Sequence, residues 1–144
     1  MTFKKKFFFI NLLILLIFSI NNLYAKNNYF DEGKKLFSKK KIDESKLKFE
    51  KDIVFNPKNQ ISYLYLAKIY KIKNNDKLHE QNLNTVILLN PKNEEAVYLL
   101  ASLKVKQSNF DKSKQLLETF KKICINLCSK EVELNKKLKN LQNK

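Results

Sequence analysis

Few side chains in this 144-residue chain could perform chemistry. The two cysteines, Cys124 and Cys128, are separated by three residues, which is not the Cys-x-x-Cys spacing of redox motifs, and no histidine follows them to suggest haem attachment. The single histidine, His79, has no cysteine or serine constellation beside it that would form a nucleophile–base pair. We therefore predict that the chain is not an enzyme, and we expect no catalytic residue, no metal site and no cofactor.

The other residues that could carry chemistry have structural interpretations. The acidic pairs Asp31 with Glu32 and Glu94 with Glu95 fall in the first turns of expected helices, where the helix dipole favours anions. One glycine cannot build a loop that cradles phosphate. His79 occupies an inter-helix position, where a packing or surface role is expected.

The N-terminal segment has the order of a secretory signal. Three lysines, Lys4 to Lys6, precede an apolar run of 14 residues from Phe7 to Ile20, whereas a helix needs about 20 residues to cross a bilayer. We predict a signal peptide over residues 1–25, cleaved between Ala25 and Lys26, and a periplasmic protein. The alternative is an uncleaved inner-membrane anchor, in which case the remainder still faces the periplasm.

The cysteine pair leaves three interpretations open. Export implies an oxidising compartment, where disulfides persist. A Cys124–Cys128 disulfide suits a helix-to-turn junction better than one straight helix, and it would lock that junction to the last helix. Free thiols are the second interpretation, and a metal or catalytic role is the third.

The charge of the chain is strongly positive, at +15, and every basic residue is lysine. Arginine supplies the planar fork that recognises guanine and phosphate, and lysine replaces it poorly, so we expect no nucleic-acid partner. Two interpretations of the lysines remain. They form solvated faces, or they form a basic surface selected for an anionic partner.

A repeat of 34 residues runs through the chain. Its two prolines, Pro57 and Pro91, are 34 residues apart, and each follows an apolar pair and an asparagine. Sliding the sequence by 34 aligns units at 26–59, 60–93 and 94–127, with residues 128–144 left as a capping helix and tail. Two columns of equivalent positions hold large apolar residues, namely Tyr29, Tyr63 and Val97, and Phe49, Leu83 and Leu117. A third column holds the small residues Gly33, Ala67 and Ala101. A fourth column, in the middle of the unit, holds Ser45, His79 and Ser113.

With these columns the sequence resembles the tetratricopeptide repeat (TPR) family. The resemblance implies an all-α, right-handed superhelical array of three helix–turn–helix units closed by a C-terminal helix. Proline cannot continue a helix and disfavours helical geometry in the preceding residue, so Asn56 and Asn90 should end helices, while Asn59 and Asn93 should cap the next ones. The predicted helices are 28–39, 43–55, 60–73, 76–89, 94–106, 110–123 and 130–141.

The resemblance also implies a binding groove lined by the first helix of each unit. Stepping by 34, the lining positions are Phe30, Lys34, Phe37, Leu64, Lys68, Lys71, Tyr98, Ser102 and Val105. Aromatic anchors mixed with lysines suit a peptide that carries some acidic residues. Alternatively, the aromatic residues pack against neighbouring helices.

Family members that bind acidic chaperone tails use a clamp of Lys, Asn and Arg. The matching positions here are Phe30, Lys34, Tyr65, Glu95 and Leu99. Only one of them is cationic, and Glu95 would repel a carboxylate, so we do not expect that ligand.

Two functions follow as hypotheses. The first is an exported, monomeric, non-catalytic adaptor that binds a protein or peptide segment in the groove and meets the membrane only through an uncleaved signal. The second is a basic structural protein that associates electrostatically with anionic envelope polymers or the membrane surface. High salt should weaken the second kind of binding much more than the first.

Overall fold

The computed structural model describes residues 28–142, and all of the regular structure within them is helical. Seven helices follow one another: α1 (Tyr29–Ser38), α2 (Ile42–Phe55), α3 (Gln60–Ile72), α4 (Asp76–Leu89), α5 (Glu94–Lys106), α6 (Phe110–Ile123) and α7 (Lys130–Gln142). The predicted signal segment, with its cleavage site between Ala25 and Lys26, lies outside the described residues.

Among residues 28–142, no helix combines the length and apolar character needed to cross a membrane.

The helices begin and end within one residue of the predicted positions. The predicted caps are confirmed, because the side chain of Asn59 accepts the Ile61 N–H at 3.2 Å and that of Asn93 accepts the Ala96 N–H at 3.0 Å. Asparagine side chains also cap the N-termini of α4 and α6, where caps were not predicted. The residues are Asn75 and Asn109.

The helices pack as three helix–turn–helix pairs, α1 with α2, α3 with α4, and α5 with α6. Successive pairs meet where α2 contacts α3 and α4 contacts α5, and α7 lies against α6 and α5. Leu134 and Leu138 of α7 are buried in the main core, so α7 covers the apolar end of the last pair.

The small column marks where the two helices of a pair approach each other. Gly33, Ala67 and Ala101 are all buried. At Gly33 the ring of Phe49 fills the space, and a methyl group built there would lie 2.9 Å from Phe49 Cε1. The one glycine of the chain is therefore matched to the largest residue of its facing column.

A hydrogen bond at the same place closes each helix pair. Ser45 Oγ donates to the Gly33 carbonyl at 2.9 Å, and Ser113 Oγ donates to the Ala101 carbonyl at 3.0 Å. In the middle pair His79 replaces the serine, and its Nδ1 lies 2.8 Å from the Ala67 carbonyl oxygen. Because a carbonyl only accepts, Nδ1 carries the proton. His79 thus closes its helix pair as the serines do.

The first helix of each pair ends without glycine. Lys40, Asn74 and Ser108 follow α1, α3 and α5 with φ of 59°, 54° and 58°. The next N–H in each turn bonds a carbonyl five residues earlier, as Lys41 N does to Leu36 O at 3.0 Å. This is the Schellman ending, which usually places glycine at the left-handed position.

A buried carboxylate joins the first pair to the second. Asp52 is 1% exposed, and its Oδ2 accepts hydrogen bonds from Asn59 Nδ2 at 2.7 Å and Ser62 Oγ at 2.5 Å. One unit later the equivalents of Asp52 and Ser62 are Val86 and Ala96, which are buried and apolar. The two junctions are therefore held by different chemistry.

The last junction is closed by a disulfide. Cys124 and Cys128 are joined, with their Cα atoms 5.2 Å apart, and the loop between them points its amides at α5. Glu94 Oε2 accepts the N–H groups of Ile125 at 2.7 Å and Leu127 at 3.2 Å. These backbone donors lower the pKa of the Glu94 carboxyl. Glu94 thus anchors the disulfide loop in addition to sitting in a first turn.

Candidate peptide-binding groove

The nine predicted groove residues lie on α1, α3 and α5, the first helices of the three pairs. The structure corrects two of them. Leu64 and Val105 are only 5% and 4% exposed, because both belong to the main core cluster that neighbouring helices share. They offer a partner almost no surface. The other seven are at least partly exposed and remain predicted groove residues.

Aromatic rings form one end of this face. Phe37 and Phe49 both contact Tyr65, with ring centroids 5.2 Å and 4.7 Å apart, and Phe30 meets Phe49 edge-on at 6.1 Å. Phe30 and Phe37 are half-buried, so part of each ring supports the first junction and part remains open. The packing interpretation is therefore confirmed for these rings, and their role in binding a partner stays a prediction.

The three groove lysines have different surroundings. Lys34 Nζ lies 5.2 Å from the centre of the Phe30 ring and is exposed. Lys68 Nζ lies 2.8 Å from a carboxylate oxygen of Glu95, which largely neutralises it. Lys71 is exposed and forms no ion pair within residues 28–142. Two ammonium groups, those of Lys34 and Lys71, therefore remain for a partner.

Tyr98 lies at the other end of the face, beside the capping helix. Its ring centroid is 5.9 Å from that of Phe120, and Lys130 Nζ at the start of α7 lies 5.8 Å from the Tyr98 ring. Tyr98 is half-buried. The capping helix therefore limits how much of this ring a partner could reach.

A cavity of about 270 Å³ opens between the second and third pairs. It brings together two predicted groove residues, Lys71 and Ser102, with residues that the sequence did not assign to a site. The full lining is Lys71, Asn74, Asp76, His79, Leu99, Ser102, Leu103 and Lys106. Comparing the equivalent positions of successive units could have found it, since several apolar residues of the first junction become polar in the second.

His79 is the buried member of this cavity, at 2% exposed. Burial lowers its pKa, and the nearby ammonium groups of Lys71 and Lys106 act in the same direction. The hydrogen bond to Ala67 and the Asp76 carboxylate oppose the shift. His79 is therefore neutral at pH 7, with Nδ1 protonated and Nε2 free to accept.

Among residues 28–142, no three His, Cys, Asp or Glu side chains are grouped so as to hold a metal ion.

Comparison with known proteins finds similarity in the fold but not in the sequence. No family model and no curated protein matches the sequence. Solved structures do match. The first TPR of Spaghetti (RPAP3), bound to the HSP90 peptide SRMEEVD, is 20% identical with a TM-score of 0.71, over 79% of this chain and 90% of that one. The chain has the tetratricopeptide-repeat fold.

Two further TPR structures show how widely this fold is shared. The Yersinia enterocolitica type III secretion chaperone SycD, in complex with a peptide of the translocator YopD, is 9% identical with a TM-score of 0.69, over 81% of this chain and 91% of that one. The TPR2B domain of yeast Sti1, in a complex with pHsp70, is 15% identical with a TM-score of 0.69, over 81% and 94%. At these identities the match concerns the fold alone.

As a TPR array, the chain forms a right-handed superhelix of paired helices closed by α7. Three of the five positions that correspond to the chaperone-tail clamp are already engaged within the TPR fold. Glu95 pairs with Lys68, Tyr65 stacks on Phe49, and Leu99 is buried.

Proposed function

We propose that this chain is a non-catalytic adaptor that binds an extended protein segment along the first helices of its three TPR units. The observation that carries the proposal is the composition of that face. The first helices carry exposed Lys34 and Lys71 together with the partly open rings of Phe30, Phe37 and Tyr98. Such rings anchor apolar side chains at low entropic cost, and the ammonium groups favour acidic ones.

The bound states of the similar structures support this proposal. The Spaghetti domain, SycD and Sti1 were each solved with a peptide or protein partner. The partner expected here differs from an acidic chaperone tail, because the clamp positions carry Glu95 and Leu99 in place of cations. We infer a segment with apolar residues at intervals and isolated acidic ones.

We also propose that the adaptor is exported. Lys4 to Lys6 and the apolar run that follows support a signal peptide, and the Cys124–Cys128 disulfide fits a periplasmic location because such bonds persist in oxidising compartments. Cell fractionation, with mass spectrometry of the N-terminus, tests both points. We expect a mature chain beginning at Lys26 in the periplasm. A full-length chain in the cytoplasm would contradict export.

A charge-matched pair of variants tests groove binding. Lys34→Glu with Lys71→Glu changes the groove, whereas Lys77→Glu with Lys114→Glu makes the same charge change on exposed positions of α4 and α6. We expect affinity purification from envelope extract to lose a defined partner with the groove variant and to keep it with the control. Equal loss from both variants, together with steep loss of binding in high salt, would favour the basic structural protein instead.

A further inference from the structure

The cavity between the second and third pairs is a consequence of residue changes between successive units. In the first junction four of the equivalent positions carry aromatic or aliphatic side chains, and the rings of Phe37 and Tyr65 meet there with their centroids 5.2 Å apart. In the second junction shorter or charged residues replace them. The equivalent pairs are Phe37 and Lys71, Ile42 and Asp76, Tyr65 and Leu99, and Ile72 and Lys106. The volume that two rings fill in one junction is therefore open in the next.

Two polar groups inside the cavity lack partners. Ser102 Oγ is buried and makes no hydrogen bond within residues 28–142. A buried hydroxyl without a partner is unfavourable, so a ligand oxygen or nitrogen that pairs with it would be stabilised. His79 Nε2 likewise makes no hydrogen bond there, since the ring bonds Ala67 through Nδ1. Ser45 and Ser113, at the equivalent positions, have one hydroxyl each, which already bonds a carbonyl oxygen, and no second polar atom in the side chain.

Of the charged side chains that line the cavity, one lysine is left without an ion-pair partner in the described part of the chain. Asp76 Oδ2 lies 2.7 Å from Lys106 Nζ, so these two side chains neutralise each other. Lys71 has no such partner within the described residues. Leu99 and Leu103 supply an apolar wall beside these polar groups. One free ammonium, one unpaired hydroxyl and an apolar wall match a single negative charge on a short hydrocarbon chain.

We propose that this cavity binds a carboxylate on a short aliphatic stem, with Lys71 and the Ser102 hydroxyl holding the carboxylate and the two leucines holding the stem. A glutamate side chain of a bound peptide and a small organic acid share this chemistry. If the carboxylate belongs to a bound peptide, the inference rests on the proposed function, and the cavity is one recognition element of the groove. If the carboxylate belongs to a small organic acid, the inference does not depend on the proposed function.

The single histidine of the chain provides the measurement, because its ring signals in an NMR spectrum are unique and lie in the cavity wall. The full chain is titrated with butyrate. Butyramide, which has the same hydrocarbon chain but no charge, is the control ligand. We expect butyrate alone to shift the His79 signals saturably. Lys71→Gln should weaken butyrate binding at least about tenfold, because a charged hydrogen bond is lost, and Ser102→Ala should weaken it several-fold.

Lys114→Gln is the matched control variant, since Lys114 is an exposed lysine of α6 that does not line the cavity. It should bind butyrate as the parent chain does. Equal shifts with butyramide, no saturation, or unchanged binding by Lys71→Gln would overturn the proposal.

Short peptides with a central Glu or Gln then separate the two sources. Tighter binding of the Glu peptide than of butyrate, with no binding of the Gln peptide, assigns the site to a peptide side chain. Equal or weaker binding of the Glu peptide assigns it to a small acid. If butyrate fails while the groove variants still lose their protein partner, the cavity proposal fails and the proposed function stands.

Discussion

At the scale of single residues, the repeat allows each unit to serve as a control for the others. Gly33 faces Phe49 in the first pair, whereas Ala67 faces Leu83 in the second, and all four residues are buried. The first pair therefore fills this contact with a glycine and a phenylalanine, and the second pair fills it with an alanine and a leucine of intermediate size. Such paired differences predict which substitutions need a compensating partner.

Gly33→Ala should destabilise the chain despite the better helix propensity of alanine. The gain of about 1 kcal/mol from propensity is outweighed by overpacking against Phe49, which costs about 1–3 kcal/mol. The added methyl group would lie 2.9–3.0 Å from three atoms of a fully buried ring.

Phe49→Leu should be better tolerated when it is combined with Gly33→Ala than when it is made alone, because the pairing of alanine with leucine already exists in the other two units. Urea unfolding of both single variants and the double variant gives the coupling energy, which we expect to be favourable by about 1 kcal/mol. Additive effects would show that the Gly33 contact does not limit packing.

His79 should make stability depend on pH near neutrality. Burial lowers its pKa below the unfolded value of about 6.5, so the unfolded chain binds a proton that the folded chain does not. The resulting stability is fully present above pH 6.5 and is lost as pH falls through the lower folded pKa.

Unfolding free energies measured from pH 8 to 5 should therefore decrease toward acid in the parent chain. They should change less in His79→Ser, which restores the residue found in the other two units. Identical pH profiles for the two proteins would show that His79 is not held neutral.

At the scale of elements, the turns after α1, α3 and α5 hold residues in the left-handed region without glycine. Each such residue costs about 1–2 kcal/mol relative to right-handed geometry, and Asn tolerates the conformation better than Lys or Ser. We therefore expect Lys40→Gly and Ser108→Gly each to raise the free energy of unfolding by roughly 0.5–1 kcal/mol, and Asn74→Gly to raise it less.

The neighbouring residue provides the control for that series. Lys39 has φ of −82°, so Lys39→Gly should give no stabilisation. Thermal unfolding of the four variants is sufficient to rank them. Equal effects of glycine at positions 39 and 40 would contradict the role of backbone conformation.

The disulfide should act locally on the capping helix. Its loop is short, so replacing both cysteines by serine should cost about 2 kcal/mol, at the lower end of the usual range. Because Glu94 binds the amides inside that loop, hydrogen exchange should become faster at residues 125–127 and in α7, while α1 to α4 change little.

Non-reducing mass spectrometry of protein recovered from its native cells should show the mass lowered by two hydrogens. Full alkylation without prior reduction would contradict the bond, and uniform loss of protection along the chain would contradict its local action.

The element boundaries were predictable because their signals are local. Asn before Pro ends a helix, and the Asn that follows starts the next one, so α3 and α5 were predicted closely. The 34-residue period then placed the small column at Gly33. The left-handed Lys40 gave no such signal, because its residue type disfavours the conformation that the turn imposes.

Tertiary relations were harder to predict than boundaries. A step of 34 identifies equivalent positions, but exposure depends on the helix that covers each of them. Leu64 and Val105 were therefore predicted as groove residues although both are in the core. The partners of Asp52 and the anchoring of the disulfide loop by Glu94 are likewise contacts across junctions, which no single unit encodes.

At the scale of the whole molecule, three helix pairs and a cap present one face of α1, α3 and α5 with mixed aromatic and basic character. The lysines elsewhere lie on the second helices as well, so net charge alone does not distinguish a groove from a uniformly basic surface. The central claim is that a partner contacts one face only.

Site-specific photo-crosslinking in cells tests this claim most directly. A photoreactive residue is placed at Lys34 or Lys71 in the groove, or at Lys77 or Lys114 on the second helices. We predict that both groove positions crosslink to the same discrete partner and that neither second-helix position does. Adducts of equal yield from all four positions, or adducts from the second helices alone, would contradict a binding groove on this TPR array.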